Sequence, residues 1–173
     1  YSYLEGMVVG ITGSNGKSTT TAMTGALLAG AGFAVEVCGN IGRPLAAVVE
    51  GPAERVFVVE LSSFQLETIV HFRARAAALL NISPDHLDRH GDLAGYLGAK
   101  QRIFANQLQD DVAVLNGDEP EVAASRTAAR KRLCSSTSVL PSVAGCRLVG
   151  DQVIEVDENG PGELLFERRD LPL

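Results

Sequence analysis

The sequence predicts an α/β fold: a doubly wound, mostly parallel sheet carrying a P-loop, with a small C-terminal antiparallel β meander. Three observations predict it. Short apolar runs alternate with helical stretches from residue 7 to about residue 130, the pattern of a parallel sheet covered by helices on both faces. The first run enters a Gly-rich segment that opens a helix, "GITGSNGKST" at 10–19. Beyond residue 141 the runs shorten and Gly and Asn punctuate them, as in hairpins.

Residues 7–12 (MVVGIT) form an apolar run ending before Gly13 and read as a buried strand. Residues 18–29 read as a helix, with Gly30 and Gly32 as stop signals. A second strand follows at 34–38, and a short helix at 44–50 with Pro44 in its first turn. The third strand is 56–61 (VFVVEL), followed by a helix over 63–70. The fourth strand is 76–81, followed by a helix over 93–108. The fifth strand is 112–116, with a further helix over 119–130. Runs at 145–149, 152–156 and 163–167, separated by Gly150-Asp151 and by Asn159 to Gly162, make the meander. The chain divides into a core at 1–140 and a small antiparallel part at 141–173.

The 173 residues fit one domain, or one with a small appendage. A hydrophobic fraction of 46% excludes a disordered chain. A net charge of -6 argues against nucleic acid as a partner. Cys38, Cys134 and Cys146 are far apart in sequence and lack metal-ligand spacing, which fits a reduced, cytoplasmic protein. No apolar run approaches the ~18 residues of a membrane span, and no signal peptide is visible. The chain begins at Tyr1 and runs straight into a strand, which reads as a piece of a longer protein.

The Gly-rich segment has unusual spacing. The common phosphate-binding loop places four residues between its first Gly and Gly-Lys; here Ile11 occupies that first position. The form is the compact Gly13-Ser14-Asn15-Gly16-Lys17-Ser18-Thr19. Gly13 and Gly16 let backbone amides converge on an anion, and the helix start adds its positive end. Lys17 reaches the β- and γ-phosphates of a nucleotide, and Ser18 can bind Mg²⁺. Glu60 ends an apolar strand, where it reads as a metal ligand or as an ordinary acid facing water. His86, in "NISPDHLDRH", reads as a metal ligand or as a solvated side chain. His71 and His90 carry no functional reading. Asn40 lies in the turn "GNIG", and by composition alone Lys100 is a surface lysine. Ser62 and Ser63 lack the Gly-x-Ser-x-Gly pattern of a hydrolase.

Five segments occur in order: "GITGSNGKST", "CGNIG", "VVELSSFQLE", "LNISPDHLDRHG" and "YLGAKQRIF". Together they resemble the central ATP-binding domain of the Mur ligases, whose phosphate loop has this compact form. "ELSSFQLE" is most similar to the D-glutamate-adding branch. The resemblance covers about residues 6–116. It implies a partial central domain, with the N-terminal UDP-binding and the C-terminal domains outside this chain. It also implies an ATP-dependent amide ligase of peptidoglycan precursor synthesis. ATP would phosphorylate the carboxylate of UDP-N-acetylmuramoyl-L-alanine, and D-glutamate would attack the acyl phosphate. ATP and Mg²⁺ are the implied cofactors, and a monomer is expected. By resemblance, Lys17 and the loop amides hold phosphates, assisted by Thr19. Ser18 and Glu60 hold one Mg²⁺, and His86 a second. Lys100 matches a lysine carried as a carbamate, which helps fix the second ion. Asn40, Ser62 and Tyr96 match substrate-side positions, although the stretch from His86 to Tyr96 runs slightly shorter than the family form. Other amide ligases of the superfamily, including folylpolyglutamate synthases, are the nearest alternative. A nucleotide switch lacks its standard loop here, and a fragment without turnover is the remaining alternative.

Overall fold

The computed structural model describes residues 6–50, 54–137, 144–157, 160–167 and 169. Its centre is β1 (Gly6–Thr12), flanked in parallel by β3 (Arg55–Glu60) and β4 (Ala76–Leu79). Alternate side chains of these strands face opposite ways, and each face has its own apolar cluster. Val8, Phe57 and Val59 pack with Leu66, Ile103 and Phe104 on one face. Ile11, Val56 and Val58 pack with Leu28, Val35 and Val37 on the other. Leu28 belongs to α1 (Lys17–Gly30) and Leu66 to α2 (Ser63–Glu67), so helices cover both faces. The doubly wound arrangement is therefore present.

The sheet has nine strands in the order β2-β3-β1-β4-β5-β6-β7-β8-β9. β2 is Ala34–Gly39, β5 is Val112–Asn116 and β6 is Arg130–Ser135. Between β4 and β5 lie a single turn, α3 (Leu87–His90), and α4 (Leu93–Gln101), which runs into a 3₁₀ turn at Arg102–Phe104. β2 to β7 are parallel neighbours, and β7 (Gly145–Val149), β8 (Gln152–Asp157) and β9 (Gly160–Glu167) are antiparallel. The meander thus continues the main sheet through β6–β7 pairing. The boundary expected at 140/141 and Asn159 of the expected turn lie outside the described residues.

The helix expected over 119–130 is instead one turn, α5 (Pro120–Ala123), followed by β6 (Arg130–Ser135). Pro120 starts the turn well, but Thr127 Oγ1 accepts the amide of Ala129 at 3.0 Å and turns the chain into the strand. β6 reads Arg-Lys-Arg-Leu-Cys-Ser. Its cationic start hides a strand that pairs on both sides with β5 and β7. The stretch expected as a helix at 44–50 is a 3₁₀ turn at Leu45–Ala47. No helix among the described residues is long and apolar enough to cross a membrane.

The start of β5 is fixed by a buried carboxylate. Asp111 is fully buried and accepts from Arg73 Nε at 2.8 Å, Arg73 Nη2 at 2.9 Å and the Leu108 amide at 2.7 Å. Arg75 Nη1 lies 3.2 Å away. Burial pushes the carboxyl pKa up, but the Arg73 and Leu108 hydrogen bonds and the two guanidinium charges hold it below the usual range. A depressed folded pKa stabilises the fold above the unfolded value of about 3.9, and that contribution is lost as pH falls through the folded value. Asp111→Ala should cost about 3 kcal/mol in urea unfolding at pH 7, with the difference from the parent protein shrinking below about pH 4. An unchanged midpoint at pH 7 would contradict the role given to this carboxylate.

Candidate functional site

In an open parallel sheet, ligands bind beyond the carboxyl ends of the strands. That edge gathers most of the polar residues singled out in the sequence. The segment Gly13 to Gly16 leaves β1 there, and Gly16, with φ 75°, turns the chain into α1. A side chain at this φ would be strained. Among the described residues no side chain caps the start of α1, so its first amides remain available to an anion.

The loop is braced by the exit of β4. The Ser14 amide donates to Asn81 O at 3.1 Å, and the Asn15 amide to Asn81 Oδ1 at 2.8 Å. Asn81 Nδ2 returns a bond to Asn15 O at 3.0 Å, and the Ser83 amide donates to Ser14 Oγ at 2.9 Å. Asn15 Nδ2 donates to Ser83 Oγ at 3.2 Å. Asn81 and Ser83 had no role in the sequence reading. The signal available was their place directly after a strand neighbouring β1.

Two lysines converge on this loop. Lys17 Nζ donates to Gly13 O at 3.0 Å and to Ser14 O at 2.8 Å. Lys100 Nζ donates to the same Gly13 O at 2.7 Å and sits 4.3 Å from the centre of the Tyr96 ring. Lys100 is 1% exposed, so the surface reading of this residue was wrong. Tyr96, Ala99, Lys100 and Ile103 form the buried stripe through α4 and its 3₁₀ extension, at helical spacing. A lysine inside an apolar i, i+3, i+4, i+7 stripe was the available signal. Burial lowers the Lys100 pKa first, the Lys17 charge lowers it further, and Asp85 opposes both; the result is about 8.

Glu60 closes the other side of the loop. It ends β3 next to β1, with Leu61 N donating to Ile11 O at 2.9 Å and Thr12 Oγ1 to Leu61 O at 2.8 Å. Glu60 is 1% exposed, which removes the reading as an acid facing water. Oε1 accepts from Asn40 Nδ2 at 2.8 Å, while Oε2 is buried with no hydrogen-bond partner among the described residues. Gly39, with φ 111°, makes this approach possible: a Cβ there would lie 2.3 Å from Glu60 O. An uncompensated carboxylate oxygen is costly in a protein interior. A hard divalent cation such as Mg²⁺ fits that oxygen, with the Ser18 hydroxyl at the head of α1 as a second donor of the same chemistry.

His86 lies further out. Its φ of 50° is the one positive value among described non-glycine residues. Its side chain is 48% exposed, and Nε2 is 3.5 Å from Asp85 Oδ2. Among the described residues it makes no hydrogen bond or ion pair with Glu60 or Lys100. His90, given no functional reading, is instead a buried connector. Its Nδ1 is 3.1 Å from Glu67 Oε1, and its Nε2 is 3.0 Å from Ser63 Oγ. Its ring packs between Phe64 and Tyr96. Tyr96 is 2% exposed; burial raises its hydroxyl pKa, and the Ser14 side chain opposes that rise. It supports Lys100 and the loop from behind. Ser62 is the N-cap of α2 in a reciprocal capping box with Gln65. Ser18 and Thr19 are exposed on the first turn of α1.

Comparison with known proteins bears on this arrangement. Residues 11–143 match the family model of the Mur ligase middle domain. UDP-N-acetylmuramoylalanine--D-glutamate ligase of Acidobacterium capsulatum is 53% identical over 129 residues, 74% of this chain and 28% of that protein. The protein of the same name from Anaeromyxobacter dehalogenans is 50% identical over 162 residues, 92% of this chain and 34% of its own length. The one from Solibacter usitatus is 42% identical over 99% of this chain and 38% of its own length. The chain therefore spans 28% to 38% of these relatives. Among solved structures, MurF ligase from Thermotoga maritima in complex with ADP superposes with a TM-score of 0.63 at 21% identity, over 91% of this chain and 39% of that one. FolC of E. coli in complex with ADP gives 0.61 at 18% identity, over 94% of this chain and 50% of that one. These two likenesses are of fold. The chain belongs to the Mur ligase family and matches its middle domain.

Proposed function

We propose that the protein containing this chain is an ATP-dependent ligase that adds D-glutamate to UDP-N-acetylmuramoyl-L-alanine, as a monomer in the cytoplasm, in peptidoglycan precursor synthesis. The observation that carries the reading is the meeting of Lys17 and Lys100 on one loop carbonyl, beside the partnerless oxygen of Glu60. That arrangement suits a polyphosphate with a divalent cation. The names of relatives at 42% to 53% identity support the choice of substrates.

A carboxylate is a poor acyl donor, and ATP activates it by transferring its γ-phosphoryl group to a carboxylate oxygen. The amine of D-glutamate then attacks the acyl carbon and phosphate leaves. The chain contributes binding and charge. The amides from Gly16 to Thr19, beyond the part of the loop braced by Asn81, and the Lys17 ammonium hold the phosphates, and Thr19 assists with its hydroxyl. Ser18 and Glu60 would hold one Mg²⁺ and His86 a second. When bound, such ions offset the repulsion between two anions. Asn40 orients the Glu60 carboxylate through its side-chain bond. Asn40 and Ser62 stand on the acyl-substrate side of this reading, while Tyr96, being buried, serves as the wall behind Lys100.

Lys100 acts as a carbamate in this scheme. Its neutral amine attacks carbon dioxide, a C–O π pair moves to oxygen, and an N–H proton leaves to solvent. With a pKa of about 8, roughly a tenth of the amine is neutral at pH 7, where an ordinary lysine has well under a thousandth. The carbamate nitrogen keeps one N–H, which is enough to hold Gly13 O. The new anion then faces cations instead of repelling them.

The test is product formation by the full-length protein from UDP-N-acetylmuramoyl-L-alanine, ATP and each of several amino acids. Turnover with D-glutamate is expected, and a preference for another acceptor would overturn the substrate assignment. In the same assay Lys17→Ala should lower ATP-dependent acyl phosphate formation by about 10³-fold or more; near-normal turnover would remove the loop from the mechanism. Lys100→Ala should lose most activity, and acetate or another short carboxylate should restore part of it by filling the vacated carbamate position. Absence of any rescue, together with an unmodified amine at Lys100 in a nucleotide-bound crystal of the full-length protein, would refute the carbamate.

A further inference from the structure

Away from the phosphate loop, β6 and β7 bring two thiols face to face. Cys134 and Cys146 are register partners on these parallel strands, and their sulphurs lie 2.6 Å apart. Neighbouring strands run about 4.8 Å apart, inside the ~4.4–6.8 Å Cα separation that a disulfide spans. Both cysteines are free and half-buried. Both line a cavity of about 440 Å³ whose wall includes Leu80, Val114, Val153 and Phe166. That is room for a small oxidant to reach the sulphurs.

We propose that Cys134 and Cys146 form a reversible redox site, closed to an intrachain disulfide by a hydroperoxide. Sharing of one proton between the sulphurs lowers the pKa of Cys146, against the effect of burial. The same contact raises the pKa of Cys134. Cys146 is therefore the thiol of the pair that ionises more readily, and the thiolate is the form that attacks a peroxide. The Cys146 thiolate attacks one peroxide oxygen, the O–O bond breaks, and the leaving oxygen takes a proton as water or alcohol. This leaves a sulfenic acid on Cys146. The Cys134 sulphur, giving up its proton, attacks the sulfenic sulphur; the S–O bond breaks and water leaves. The two thiols lose two electrons in total, and the peroxide gains them. The partner sulphur is already in contact, so closure outruns further oxidation. Cys38 is fully buried, and burial pushes its thiol up to about 11, so it takes no part. This site rests on strand register and is independent of the ligase reading.

Both cysteines fall in one tryptic peptide, LCSSTSVLPSVAGCR, at 133–147. The full-length protein is treated with hydrogen peroxide, blocked with iodoacetamide and digested without reductant. The expected peptide is two hydrogens lighter than the dithiol and carries no alkyl group, and prior treatment with dithiothreitol restores two alkylation sites. The disulfide should form at least about tenfold faster in folded protein than in urea, because the strands hold the thiols together. Cys38→Ser should leave the rate unchanged. A peptide alkylated at both cysteines, one carrying sulfinic oxygens, or a rate no higher than in urea would each overturn the proposal.

Discussion

The Gly13 carbonyl oxygen accepts hydrogen bonds from two ammonium groups, Lys17 on the loop's own helix and Lys100 on α4. Two like charges on one acceptor, one of them buried, repel by an amount of the order of a few kcal/mol at an effective dielectric near 20. Asp85 offsets part of it at Lys100. The remaining positive charge is a standing demand for an anion. It is reinforced by the start of α1, whose positive end is uncapped by side chains among the described residues. Burial lowers the pKa of Lys100 and the Lys17 charge lowers it further, while Asn81 and Ser83 brace the loop that carries the shared carbonyl.

The opposite charge is placed with equal care on the neighbouring strand. β1 and β3 are in parallel register up to Ile11 and Glu60, so the loop and the acid leave the sheet side by side. Asn40 fills one oxygen of Glu60 and leaves the other without a partner. The Lys17 ammonium with the uncapped start of α1, for phosphate, and a surplus carboxylate oxygen, for a metal ion, thus share one edge. Each is unfavourable alone, and a nucleotide with its cation would satisfy both. The sheet interior is apolar on both faces, and the buried Asp111 at the opposite end of the strands is paired with Arg73.

Much of this was legible in the sequence. The apolar runs of β1 to β5 marked the sheet, and the compact glycine loop marked the anion site. Glu60 was visible as an acid ending a buried strand. What was hidden had physical causes. β6 begins with three cationic residues and shows little apolar alternation, so pairing with two neighbours, and not local preference, makes it a strand. Lys100 was hidden because composition counts a lysine as surface, although its spacing from Tyr96, Ala99 and Ile103 put it on the buried stripe. His90 was hidden because its partners Glu67 and Ser63 belong to α2, which meets α3 and α4 only in the folded chain. The Cys134–Cys146 contact depends on the β6–β7 register, which no spacing rule for cysteines anticipates.

The site carries two unmet demands, and its metal side can be measured apart from catalysis. Binding of a non-hydrolysable ATP analogue to the full-length protein is followed by calorimetry, with and without Mg²⁺, for the parent protein and for Glu60→Gln. The account predicts that Mg²⁺ tightens binding to the parent protein, and that Glu60→Gln loses most of this gain while keeping its Mg²⁺-free affinity. An equal Mg²⁺ effect in both proteins would contradict the assignment of the partnerless Glu60 oxygen to a cation and, with it, the reading of this edge as one nucleotide–metal site.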